Sequence, residues 1–124
     1  MTSPVYIVDC AVVTAFGDGL AALWDGLMAG RTAIATVDRF TTERYVTEYA
    51  ACVPELEAPA GSSRVVPLVT RALEQIAPVP EDSHLLTATT KAGIDTLERL
   101  CRERPANTQE VLPTTFMDHV RRRT

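Results

Sequence analysis

An α/β fold, with a mainly parallel sheet and helices on its faces, follows from three features of the sequence. Segments rich in β-branched and apolar residues alternate with segments whose apolar residues recur every three or four positions. Turns containing glycine or proline separate them. The first extended segment, residues 5–13, is apolar at both parities. Val5, Ile7, Ala11 and Val13 fall on one face, and Tyr6, Val8, Cys10 and Val12 on the other. A strand apolar on both faces belongs in the middle of a sheet covered on both sides by helices.

Asp9 interrupts that strand. A carboxylate there needs a partner or a solvated edge, and with no second carboxylate nearby it reads as a satisfied strand polar group. The chain turns at residues 14–19, TAFGDG. Leu20, Leu23, Trp24, Leu27 and Met28 then fall at i, i+3, i+4, i+7 and i+8, one continuous stripe on a helix. Asp18 is placed to cap that helix, and Gly30 to end it in a left-handed conformation. An extended piece is expected over residues 33–37, a polar loop over 41–48 and a short strand over 49–53, stopped by Pro54.

After a loop over residues 54–63, Ser62 or Ser63 caps a second helix with the stripe Val65, Val69, Ala72, Leu73 and Ile76. Pro67 sits near its first turn, and Pro78 and Pro80 end it. Residues 83–90, SHLLTATT, read as a strand. Ile94, Leu97, Leu100 and Cys101 form the stripe of a third helix, and residues 105–110 a polar loop. Pro113 opens a fourth helix carrying Phe116, Met117 and Val120. Three short strands make a small sheet, and no strand returns after the last helix. The sequence therefore reads as cut off, with further strands expected beyond residue 124.

With 124 residues the chain holds one domain, residues 1–124, and not comfortably two. A net charge of −4 offers no basic footprint for nucleic acid. The one basic run, Arg121-Arg122-Arg123, is a solvated helix end where cations are favoured. No apolar run approaches the ~20 residues of a membrane-spanning helix. No basic segment followed by an apolar one opens the chain, so the expected location is cytoplasmic. Cys10, Cys52 and Cys101 form no CxxC pair and no Cys/His cluster. They are expected to be free, mostly buried thiols, and no metal site is expected.

Few residues invite chemistry. Gly17 and Gly19 lie between a strand and a helix, but a GxGxxG phosphate loop fails because Ala occupies positions 15 and 22. A tight turn needing glycine conformations accounts for both glycines. His84 and His119 have no evident partner and read as surface or structural residues.

Several stretches, taken in order, resemble β-ketoacyl synthases, the condensing enzymes of fatty-acid and polyketide synthesis. They are AVVTAFGDG (11–19), LWDGLMAGRTAI (23–34), DRF (38–40), ACVPEL (51–56), SSR (62–64) and LLTATTKAGIDTLE (85–98). The chain departs from the family at Asp9-Cys10, where Thr-Gly is common, and at Ala92, where glycine is usual. The resemblance implies an incomplete N-terminal half of a thiolase-like fold. It also implies that Thr89, Thr90, Lys91 and Gly93 border the substrate pocket, although an ordinary strand-to-helix turn explains them equally. The complete enzyme would carry out a decarboxylative Claisen condensation of acyl and malonyl thioesters. It would work with an acyl carrier protein, as a homodimer, without cofactor or metal.

In that family the nucleophilic cysteine and the two histidines (or His and Asn) that assist decarboxylation lie outside the matched region. A nucleophilic thiol is held at a helix N-terminus, where the dipole lowers its pKa. Cys10 is mid-strand, Cys52 ends a strand and Cys101 lies late in a helix, so none fits. The chain alone is expected to be inactive. The alternative is a stand-alone, non-catalytic ketosynthase-like subunit or scaffold module.

Overall fold

The computed structural model of the chain describes residues 4–89, 91, 93–102, 108–111 and 113–122. It comprises two compact units, Ala11–Glu55 and Met1–Cys10 with Leu56–Thr124.

In the Ala11–Glu55 unit, β1 (Val13–Thr14) and β2 (Gly17–Asp18) form an antiparallel hairpin with Val13 opposite Asp18 and Thr14 opposite Gly17. Gly17 and Gly19 have φ of 116° and 88°, a region that side chains rarely adopt. Thr14 Oγ1 accepts the Phe16 N–H at 3.2 Å, and Val12 C=O accepts the Gly19 N–H at 2.9 Å. The hairpin thus delivers the chain straight into α1 (Gly19–Met28). Asp18 stands at the N-cap, but its side chain makes no capping hydrogen bond, contrary to expectation.

Gly30, at φ 62°, ends α1, and the Arg31 N–H donates to Gly26 C=O at 3.0 Å. Nothing lies within 4 Å of a Cβ built on Gly30. Gly30→Ala is therefore expected to cost about 1 kcal/mol through backbone strain alone, measured by urea denaturation. Further on, β3 (Ala35–Thr36) pairs antiparallel with β4 (Tyr49–Ala50), Ala35 opposite Ala50 and Thr36 opposite Tyr49.

The face on which α1 packs is not the predicted stripe. Gly26 is buried and Ala22 and Leu23 are half-buried, whereas Leu20, Trp24, Leu27 and Met28 are 53%, 64%, 58% and 68% exposed. Phe16 explains the choice. A Cβ at Gly26 would meet carbons of the Phe16 ring at 2.5, 2.7 and 2.9 Å. The ring can lie this close only on the helix face that lacks a side chain.

The other unit contains α2 (Val65–Leu73), α3 (Ile94–Cys101), a 3-10 turn at Thr108–Val111, and α4 (Pro113–Arg121). The expected loop over 105–110 is in part this 3-10 turn, and its residues 105–107 lie outside the described residues. Helix α2 packs on α4. Val120 of α4 is the one buried hydrophobic side chain among the described residues, and Ser63 and Thr96 are the fully buried polar ones.

Two expectations need correction. Both sheets are two-stranded and antiparallel, and no parallel pairing occurs among the described residues. The molecule is α/β only in the coarse sense of helices with small sheets. Of the expected strand over residues 5–13, only Val13 is in a strand, and residues 83–89 are in none. Val5, Ile7 and Val8 are 96%, 91% and 94% exposed. An inner strand exists only with neighbours on each side, and a parallel neighbour needs a long crossover. Hairpins close locally through turn chemistry and need neither. The second correction concerns the cysteines, all three of which are free and exposed. Cys101 lies five residues beyond buried Thr96, about 140° around the helix from the packed face.

Candidate functional site

The residues predicted to border a substrate pocket lead into α3. Thr89 and Lys91 are exposed, and Gly93 is buried. Thr90 lies outside the described residues. Gly93 is the N-cap of α3, and its C=O accepts N–H groups from Thr96 at 2.9 Å and Leu97 at 3.3 Å. Gly93 therefore starts the helix, as its sequence position suggests.

Beside this turn lies a polar cluster that sequence reasoning missed. Ser63 Oγ donates to Asp95 Oδ1 at 2.6 Å, and the Arg64 N–H donates to Asp95 Oδ2 at 2.9 Å. Ser63 Oγ in turn accepts the Val65 N–H at 3.2 Å. Arg99 Nη1 donates to Ser62 C=O at 2.6 Å, and Nη2 reaches Asp95 Oδ2 at 3.3 Å. The first amides of α2 have no partner within their own helix. Here a carboxylate from the first turn of α3 receives one of them, with Ser63 as the intermediary for another.

Partial burial pushes the Asp95 carboxyl up. The Ser63 hydroxyl, the Arg64 N–H, the Arg99 guanidinium and the Thr96 N–H outweigh this and hold it below its ordinary value. A carboxylate so stabilised is a weak proton acceptor, and it does not activate Ser63 as a nucleophile. The cluster is a clasp between two helix starts. Thr96 Oγ1 is buried beside it without a hydrogen-bond partner among the described residues. One part was legible in sequence, the i, i+4 spacing of Asp95 and Arg99. The reach from Asp95 to Ser63 was not.

A cleft of about 780 Å³ lies elsewhere in the same unit. Leu73, Ile76 and Val79 form apolar lining, and Met117, Asp118 and Arg121 contribute one face of α4. The volume suits a small molecule. Its charged groups, Glu81 and Asp118 against Arg121, carry both signs and select neither an anion nor a cation. Thr89, Lys91 and Gly93 are not among the described residues that line it. His84 lines the cleft and is exposed. His119, expected to have no partner, pairs through Nε2 with Thr70 Oγ1 at 2.9 Å.

Asp9 has partners, although it lies in no strand. It accepts the Ala77 N–H and the Cys10 N–H, each at 2.8 Å. These bonds, Ala77 first, hold its carboxyl below the ordinary value. Among the described residues, no three His, Cys, Asp or Glu side chains gather as a metal site. No helix among them is long and apolar enough to cross a membrane. Comparison with family models, with characterised proteins and with solved structures returned no match.

Proposed function

We propose that the chain is the N-terminal portion of a β-ketoacyl synthase-like condensing enzyme. The observation that carries this reading is the ordered set of motifs at residues 11–19, 23–34, 38–40, 51–56, 62–64 and 85–98. Several of these residues have local tasks in the fold. Gly17, Gly19 and Gly30 have positive φ. Ser62, Ser63 and Arg64 meet Asp95 and Arg99 at the start of α2.

The uncovered apolar segment at Val5, Tyr6, Ile7 and Val8 supports the same reading. Contiguous apolar surface calls for a covering partner. The remaining strands of a thiolase-like half would cover it in a mainly parallel sheet. In that setting Thr89, Thr90, Lys91 and Gly93 border the acyl pocket. The complete enzyme would load an acyl chain onto a cysteine, decarboxylate a malonyl thioester on an acyl carrier protein and join the two. None of the cysteines here serves as that nucleophile, because none starts a helix; Cys101 is the last residue of α3. Three exposed free thiols fit a reducing, cytoplasmic setting.

The experiment has two parts. Residues 1–124 alone are expected to release no CO₂ from a malonyl carrier thioester and to form no condensation product. The reading frame is expected to continue past Thr124 to a cysteine at a helix start, and that longer protein to be active until the cysteine is changed to alanine. A stop codon directly after Thr124 would sink the enzyme reading and favour the non-catalytic module.

A further inference from the structure

We propose that the cleft beside α4 binds a free α-amino acid with a bulky apolar side chain, held as its zwitterion. Asp118 and Arg121 both line the cleft, one turn apart on α4. Side chains at that spacing start about 5–6 Å apart at Cβ. Glu81 joins them from a turn closed by the Ser83 N–H, which donates to Pro80 C=O at 3.0 Å. Among the described residues none of these three charged groups has an ion-pair partner. Leu73, Ile76 and Val79 supply an apolar wall in the same cleft.

The charges narrow the ligand. A monoanion such as a fatty acid would meet Arg121 but set its charge beside Glu81 and Asp118. A simple amine would satisfy the two carboxylates and leave Arg121 without an anion. An α-amino acid carries ammonium and carboxylate on one carbon, which matches opposite charges one helical turn apart. Its carboxylate accepts the fork of N–H donors on Arg121. Its ammonium has three N–H donors and serves both Asp118 and Glu81. Its side chain then lies against the apolar wall, and a volume of about 780 Å³ admits a large one. Glu81, Asp118 and Arg121 are exposed, so water shares them and binding is weak and rapidly reversible.

The test is a titration of the full 124-residue chain with L-phenylalanine, followed through backbone amide NMR signals. Saturable shifts are expected at residues 80–85 and 114–121. 3-Phenylpropanoate lacks the ammonium, 2-phenylethylamine lacks the carboxylate and alanine lacks the bulky side chain. Each is expected to bind at least roughly tenfold more weakly than phenylalanine. Arg121→Gln is expected to weaken phenylalanine roughly tenfold and to leave 2-phenylethylamine unchanged. Asp118→Asn is expected to weaken phenylalanine without weakening 3-phenylpropanoate. Arg122→Gln, one residue on and not among the lining residues, is expected to change nothing. If a variant fails to fold, the analogue series on the unaltered chain decides alone. Absence of saturable shifts at these residues overturns the proposal. So does either one-charge analogue binding as tightly as phenylalanine, or Arg122→Gln weakening phenylalanine as much as Arg121→Gln.

Discussion

Replacing Asp95 by alanine is expected to destabilise the unit built on α2, α3 and α4 by about 2–3 kcal/mol. The carboxylate receives the Ser63 hydroxyl and the Arg64 N–H, and pairs with Arg99. Ser63 is fully buried, so water cannot take over as its acceptor. Leaving a buried donor without a partner costs the full desolvation of that group. Asp95→Asn keeps an acceptor for Ser63 but loses the charge and the second oxygen, which accepts the Arg64 N–H, so it should cost less than alanine by about the Ser63 hydrogen bond, roughly 1 kcal/mol. Urea unfolding followed by circular dichroism separates the two variants. Equal stability of wild type and Asp95→Ala would refute the clasp.

The pH dependence has a definite sign. The folded Asp95 carboxyl lies below its unfolded value of 3.8. The charged form is therefore the one the fold stabilises. Its contribution is complete at pH values above the unfolded pKa and is lost as pH falls through the lower, folded one. The stability difference between wild type and Asp95→Asn is expected to be flat from neutral pH down to about pH 5 and to shrink below pH 4. Asp9 follows the same sign, its carboxyl also being held down by hydrogen bonds.

The second large effect is expected at Gly26. Gly26→Ala gains helix propensity of about 1 kcal/mol. It also drives a methyl group into the Phe16 ring, where three ring carbons lie 2.5, 2.7 and 2.9 Å from the new Cβ. Overpacking of this kind costs roughly 1–3 kcal/mol, so the net change should be destabilising by up to about 2 kcal/mol. The ring's Cγ is among the close atoms, so rotating the far edge of the ring does not relieve the clash. In a Phe16→Ala background the obstacle is gone, and the same Gly26→Ala change is expected to stabilise. That reversal of sign is the signature of direct contact. If Gly26→Ala is destabilising by the same amount in both backgrounds, the ring is not the cause.

The helices were legible because their signals are local. The stripe at residues 20–28, Pro113 at a first helical position and Gly30 past a helix end all depend on neighbours within a few positions. The observed helices at Gly19–Met28, Val65–Leu73, Ile94–Cys101 and Pro113–Arg121 follow those signals. The glycine conformations were legible for the same reason. The strands were not. The apolar alternation at residues 5–13 states a preference for burial on two faces, and pairing needs a partner that alternation does not supply. Cysteine burial failed alike, since it presumes a core for the thiol to enter.

For the candidate site the division is sharper. The SSR turn at 62–64 and the Asp95–Arg99 spacing are visible one at a time. That they belong to one clasp depends on a contact between residues 63 and 95, which only packing creates. The helical face turned toward Phe16 is likewise beyond local reading. Leu20, Leu23, Trp24, Leu27 and Met28 advertise hydrophobicity, yet Gly26 is the buried residue, because a ring can approach a bare backbone more closely than any side chain. Short-range chemistry decided where helices begin and end and where the backbone turns left-handed. Tertiary contact decided which faces are buried, which strands pair and which polar groups meet, because those depend on shapes brought together from distant parts of the chain.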